Sequence, residues 1–255
     1  MSDALSYVYA VGRDLTDADL ADLAGAGIGE GDPRLVVAGR LQAVVSDVPR
    51  AEFEALSLDD RLEDLGWLAA TARAHHHVVD SVGGRRTIAP LSLATVYFDD
   101  DRVRGLLDDG ADAFATVLDR LDGRAEWGVK VSMRPGGERG ETPAERPKTG
   151  AEYLRARRQA LREGDQAVSR AEADAEELDE AVRALAVAAR RHRPQEQSLT
   201  GRPERMVLNG AYLVDGTAAE ALTALVASWE DHPRVRVELT GPWVPYSFAA
   251  LEGAS

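Results

Sequence analysis

The stretch Arg34-Leu35-Val36-Val37-Ala38-Gly39-Arg40-Leu41-Gln42-Ala43-Val44-Val45-Ser46-Asp47 decides the fold. Two β-branched runs, 34–38 and 41–47, flank a Gly39-Arg40 pair that fits a two-residue turn, so they read as a hairpin, although Gly-Arg is a weaker turn signal than Asn-Gly. Upstream, Tyr7-Val8-Tyr9-Ala10-Val11 makes a strand over 6–12. Between that strand and the hairpin, Thr16 or Asp17 caps a short helix through 24, ended by Gly25, Gly27 and Gly29. Downstream, 52–56 is a turn or two of helix. The segment 59–81 is a longer helix with Leu62, Leu65, Ala69, Ala72, His76 and Val79 at helical spacing. The segment 88–98 reads as a strand interrupted by Pro90, and 99–121 as an amphipathic helix. The order β-α-β-β-α-β-α predicts an α+β fold whose first domain, 1–122, is a modified ferredoxin-like sandwich on an antiparallel sheet.

The rest of the chain, 123–255, reads as a second α+β domain. A strand over 126–133 is followed by a polar loop, 134–149, holding Pro135, Pro143 and Pro147. From 151 to 192 runs one helical pattern in which Leu154, Leu161, Val168, Ala175, Val182 and Ala189 recur every seven residues. Ala171, Leu178 and Leu185 sit three residues after the later members, which makes a coiled-coil-like seam. The seam is poor between 154 and 168, where the matching positions are Arg157 and Gly164, so the segment either projects as one helix or folds back as a hairpin near Gly164. Its charges run basic first (Arg155, Arg157, Arg158, Arg162, Arg170) and acidic later (Glu172, Asp174, Glu176, Glu177, Asp179, Glu180). That order opposes the helix dipole and suits an antiparallel fold-back or neighbour. Strands over 206–214 and 234–240 bracket a helix over 217–230. Two prolines then stop the last strand at Gly241-Pro242-Trp243-Val244-Pro245-Tyr246-Ser247-Phe248. This aromatic tail either caps the core of the second domain or presents a protein-binding patch.

Composition excludes several classes of function. The 255 residues hold 44 acidic and 30 basic side chains, for a formal charge of −14, which argues against binding a phosphate backbone. With no cysteine there is no disulfide framework, thiol nucleophile or Cys-ligated metal. The start lacks a signal-peptide pattern and no window is apolar enough to span a membrane, so the expected location is the cytoplasm.

Motifs that carry chemistry are equally scarce. His75-His76-His77 cannot converge on one ion, because neighbouring helical residues point about 100° apart. His76 falls on the apolar face. Gly25-Ala26-Gly27-Ile28-Gly29-Glu30-Gly31 follows a helix and has Glu30 where the dinucleotide fingerprint needs a third glycine, so it reads as a helix terminator. Asp99-Asp100-Asp101 suits the N-terminus of the following helix. No catalytic residue, cofactor site or metal site is expected. The residues expected to bind partners are Leu154, Leu161, Val168, Leu178 and Leu185 along the seam, with Trp243, Tyr246 and Phe248 in the tail.

A set of motifs gives the chain a family likeness. They are Tyr7-Val8-Tyr9-Ala10, Ala89-Pro90-Leu91-Ser92-Leu93-Ala94-Thr95-Val96-Tyr97, Glu126-Trp127-Gly128-Val129-Lys130-Val131 and Gly150-Ala151-Glu152-Tyr153-Leu154. Val207-Leu208-Asn209-Gly210-Ala211-Tyr212-Leu213-Val214 and the tail from Leu239 to Phe248 complete the set. In that order they resemble the gas vesicle accessory proteins GvpL and GvpF over nearly the whole chain. The sequence departs at Val244, where the family usually shows proline, and at Leu93-Ala94, where a Phe-Gly pair is common. The resemblance implies a non-enzymatic, two-domain assembly factor whose second domain carries a coiled coil. Such a factor binds the small hydrophobic shell protein and other accessory proteins, with neither nucleic acid nor membrane as partner, and can be retained as a minor vesicle component. Two rival readings are a coiled-coil scaffold that never touches the shell protein and a hydrolase using surface carboxylates.

Overall fold

Strand β1 (Ala4–Arg13) is the organising element of the first unit, in a computed structural model that describes residues 4–53, 64–134, 149–193 and 204–251. Its residues from Leu5 to Gly12 are all buried, so helices cover it on both faces. The sheet runs β2 (Arg34–Ala38), β3 (Leu41–Pro49), β1, β4 (Ile88–Pro90), and β5 (Val96–Tyr97) also pairs with β1. All these pairings are antiparallel. The β2–β3 hairpin closes at Ala38↔Leu41, with Gly39 at φ +57°, a conformation the tight turn requires and glycine adopts without strain. Helices α1 (Arg50–Phe53), α2 (Leu65–Gly83), α3 (Asp100–Asp109) and α4 (Ala111–Leu121) complete the layer. The core joins Tyr7, Tyr9, Val44 and Phe53 to Val78, Val79 and Val82 of α2.

Several elements differ from expectation for identifiable reasons. The helix expected over 16–24 is a single 3-10 turn, Asp17–Leu20, in which the Asp19 carboxylate accepts from the Thr16 N–H (2.8 Å) and hydroxyl (2.9 Å). The strand expected over 88–98 is split by a turn at Ala94 (φ +65°), whose N–H donates to the Tyr7 hydroxyl (3.0 Å). The helix expected over 99–121 breaks at Gly110, where a Cβ would press on the Leu106 carbonyl and the Phe114 ring. On α2 the buried histidine is His75, and His76 is exposed; the apolar face is Thr71, His75, Val78, Val79 and Val82. The helical residues expected over 54–56 and 59–63, and the loops over 135–148 and 194–203, lie outside the described residues.

The second unit repeats the strand order of the first without repeating its sequence. Its sheet runs β7 (Ala186–Arg191), β8 (Met206–Asp215), β6 (Arg124–Met133), β9 (Val235–Trp243). Helices α5 (Gly150–Arg183) and α6 (Ala219–Ala227) bury Ala171, Ala175, Leu178, Val182, Leu222 and Val226 with Val129, Val131, Tyr212 and Val235. The helical pattern expected to reach 192 ends at Arg183, and Ala186–Arg191 is a strand paired antiparallel with β8. The last strand does not stop before the prolines. It continues to Trp243 because β9 is an edge strand, where Pro242 interrupts no central ladder.

The chain divides into residues up to Glu126 together with those from Pro242 onward, and residues Trp127–Gly241. The expected second domain, 123–255, therefore does not own the aromatic tail. Its residues from Pro242 belong to the first unit, and the core they cap is that of β1 and α2.

Candidate interaction surfaces

Helix α5 begins with a reciprocal cap: the Glu152 N–H donates to the Thr149 hydroxyl (3.2 Å) and the Thr149 N–H to the Glu152 carboxylate (3.1 Å). From there the helix is one continuous piece of 34 residues, with no fold-back at Gly164. Its two halves have opposite characters. Every residue from 150 to 166 is exposed, including Tyr153 (52%), Leu154 (55%) and Leu161 (62%), whereas Ala171, Ala175, Leu178 and Val182 are core. Of the residues expected to bind partners along the seam, Leu154 and Leu161 are exposed and Val168 is half-buried. Leu178 is fully buried inside its own unit, and Leu185 lies beyond the helix, packed against the same core. Both are structural.

Three acids of the inner half of α5, Asp174, Glu176 and Asp179, are paired within the unit. Asp174 accepts both arms of Arg234 (2.7 and 2.6 Å), which hold its carboxyl below the usual carboxylate range against the opposing effect of burial. Asp179, almost fully buried, accepts from the Tyr212 hydroxyl, Arg183 (2.5 Å) and Arg191 (2.6 Å). Burial pushes its pKa up, but Arg191, Tyr212 and Arg183 outweigh that and hold it low. Arg191 also reaches Glu176 (2.6 Å). The expected antiparallel charge partner of the acidic half is thus the unit's own arginines on β7 and beside β9. By contrast, Arg155, Arg157, Arg158 and Arg162 in the outer half make no ion pair among the described residues.

The tail is anchored rather than displayed. Phe248 is buried (3%), its carbonyl accepting from Arg120 (2.5 Å), and the Glu126 carboxylate accepts from the Ser247 N–H (2.8 Å) and hydroxyl (2.7 Å). Tyr246 packs its ring 6.0 Å from His75 and 5.2 Å from His76. Of the three tail aromatics expected to bind partners, Phe248 is core and Tyr246 is half-buried against α2; Trp243 alone is largely exposed, at 54%.

Beneath the tail lies an arrangement that sequence reasoning missed. The Ala94 N–H donates to the Tyr7 hydroxyl, which is hydrogen-bonded to His75 Nδ1 (2.9 Å). Tyr9 takes the Ile28 N–H (2.9 Å) and pairs with Ser46 (2.7 Å). Burial, reinforced by neighbouring His76, lowers His75 to about 4, so the imidazole is neutral in the core. The two tyrosines at alternate positions of one strand were the available signal. Elsewhere on the first unit, Arg13, Arg40, Arg85 and Arg86 rim a cavity of about 390 Å³ with Asp14, Thr87 and Asp122. Three of these arginines are paired there with Asp119, Asp22 and Asp19. Among the described residues no group of three His, Cys, Asp or Glu is placed to hold a metal ion, and no helix is long and apolar enough to cross a membrane.

These features define an α+β protein whose distinctive surface is a long amphipathic helix with one half packed and one half bare. The family model described as "Gas vesicle synthesis protein GvpL/GvpF" matches residues 5–250, and the chain belongs to that family. It is 46% identical to gas vesicle protein L of Streptomyces sp. (strain CB03234), covering 98% of this chain and 94% of that protein. It is 28% identical to gas vesicle protein F of the same strain, over 95% and 98% of the two chains. The fold matches the crystal structure of GvpF from Anabaena sp. PCC7120 with a TM-score of 0.68 at 19% identity, covering 98% of this chain and 97% of that one. GvpF from Microcystis aeruginosa matches with a TM-score of 0.64 at 17% identity, covering 98% and 100%. Family membership implies a role in gas vesicle formation; the family is not a known enzyme family.

Proposed function

We propose that the chain is a non-enzymatic assembly factor of gas vesicles that binds the hydrophobic shell protein and other accessory proteins in the cytoplasm and at the vesicle. The observation that carries this reading is the family match over nearly the full length, joined to an exposed apolar seam, Leu154 and Leu161, on a capped helix that projects from its core. A shell subunit with exposed apolar surface and free strand edges needs cover until it joins the wall. Leu154, Leu161 and Val168 of the second unit are the residues we assign to that contact, and Trp243 of the first to a separate partner contact, in a two-domain protein with a ferredoxin-like first sandwich and a coiled-coil-forming helix in the second. Co-expression with the shell protein followed by affinity capture tests the reading. Retention of the shell protein, and loss of vesicles on deletion of this chain, are expected; no retention together with normal vesicles overturns it.

A further inference from the structure

We propose that the outer half of α5, residues 150–168, is the docking face for an acidic amphipathic helix of a partner protein. This deepens the assembly reading above and rests on it. At about 100° per residue, Leu154 and Leu161 stack within roughly 20° of one line. Arg157 flanks that line on one side, and Arg158, Arg162 and Arg155 flank it on the other, while Glu152 and Glu163 fall on the far face. The result is a short apolar seam, with Asp165 set beside Leu161, flanked by four cations in a chain whose formal charge is −14. None of the four arginines has an ion-pair partner among the described residues, whereas Asp174, Glu176 and Asp179 of the inner half are paired with Arg183, Arg191 and Arg234. The Thr149–Glu152 cap and the Gln159–Glu163 hydrogen bond (2.9 Å) favour the helical form of the arm before any partner arrives. A preformed helix lowers the ordering cost of docking.

Charge selects the occupant. A second copy paired antiparallel about Leu161 sets Asp165 against Arg157, but leaves Arg155, Arg158 and Arg162 facing Ala167, Gly164 and Ala160. An anionic bilayer would satisfy the arginines, but the seam offers only Tyr153, Leu154 and Leu161 as large apolar groups with Asp165 set into it, too thin a stripe for interfacial burial. A helix with its own apolar seam and carboxylates on both sides meets the leucines and all four arginines together.

The test is a titration of the full chain with two labelled peptides of about four heptads, leucine at a and d, with glutamate at every e and g position in one and lysine in the other. The glutamate peptide is expected to bind, more weakly as salt rises, and the lysine peptide not to bind. The charge-reversed R155E/R158E/R162E chain is expected to lose about tenfold or more in affinity for the glutamate peptide and to gain the lysine peptide. L154S/L161S is expected to weaken binding of the glutamate peptide. Circular dichroism verifies that both variants keep their helix. Equal binding of the two peptides, no binding of either, or indifference to charge reversal overturns the proposal. So does a wild-type dimer in sedimentation that L154S/L161S dissolves. Binding of phosphatidylglycerol vesicles in place of the glutamate peptide overturns it as well. If the charge-reversed chain still captures the shell protein as the wild type does while the peptides fail, the docking face is refuted and the assembly role stands.

Discussion

His75 shows how a single buried group sets the pH range of the molecule. Its Nδ1 is hydrogen-bonded to the Tyr7 hydroxyl, and protonating the imidazole would bury a charge among the side chains of the first core. Because the folded pKa, about 4, lies below the ordinary 6.5, the unfolded chain binds this proton more tightly. The stability His75 contributes is therefore full above pH 6.5 and drains away as the pH falls towards 4, an effect on the order of 3 kcal/mol for one site. Urea unfolding at pH 7 and pH 4.5 is expected to show this loss in the wild-type chain and a much smaller one in His75→Gln. Asp179 titrates in the opposite sense. Its pKa is held low in the fold, so its contribution is present above the usual carboxylate pKa and lost as acid protonates it. Asp179→Ala leaves the buried Tyr212 hydroxyl without its acceptor and removes the pair with Arg183 and one of the two partners of Arg191, and is expected to cost about 1–3 kcal/mol at pH 7. Chemical denaturation of that variant measures it.

Among the elements, the contact between α2 and the tail is the most sharply constrained. Gly83 ends α2 against Val244, so that a Cβ at position 83 would collide with the valine's Cγ2. Gly83 does not need a positive φ, and alanine there would otherwise favour the helix. Gly83→Ala is expected to destabilise the first unit by about 1–3 kcal/mol, and Val244→Ala in the same chain to recover much of it, as a double-mutant cycle in thermal melts reads directly. The origin of this contact also explains what was legible in the sequence. Strands β1, β2, β3, β6 and β8 announce themselves because β-branched runs between glycines and polar breaks are a local signal. The Ala186–Arg191 strand did not, since its alanines continue the heptad spacing of α5 and favour helix; pairing with β8 overrides that preference. The phase of α2 was misjudged by anchoring on Leu65, which is 77% exposed at the first turn, where Asp64 caps Gly66 and Trp67. In the candidate surface, Leu154 and Leu161 were readable from their spacing. That Leu178 is core was not, because a seven-residue repeat looks the same whether a helix meets a partner or its own sheet.

At the scale of the whole molecule, the first unit is built from two distant pieces of chain, and the second unit is an insertion between them. The join is local: the Glu126 carboxylate, at the end of the first piece, holds the Ser247 N–H and hydroxyl of the last, and β6 and β9 are neighbours in one sheet. Strand β1 supplies the centre of the first core, Val244 and Tyr246 pack against it, and Phe248 is buried in the same unit. Burying a phenylalanine side chain is worth about 1.5–3 kcal/mol, against a net stability of about 5–15 kcal/mol for a folded domain. A chain ending at Glu126 thus lacks Phe248, two further apolar contacts and the carbonyl that Arg120 reaches. It is expected to melt at a lower temperature and to bind a hydrophobic dye. The same chain joined through a short Gly-Ser link to 242–251 is expected to recover cooperative melting and to lose the dye signal, since it restores every contact of the tail without the intervening unit. If the chain ending at Glu126 were as stable as the joined one, the tail would be an ornament on a core complete without it. Phe248→Ala in the full chain separates the same alternatives: amide exchange should rise in the first unit, where Phe248 is buried and Arg120 of α4 reaches its carbonyl, while β8 of the other unit keeps its protection.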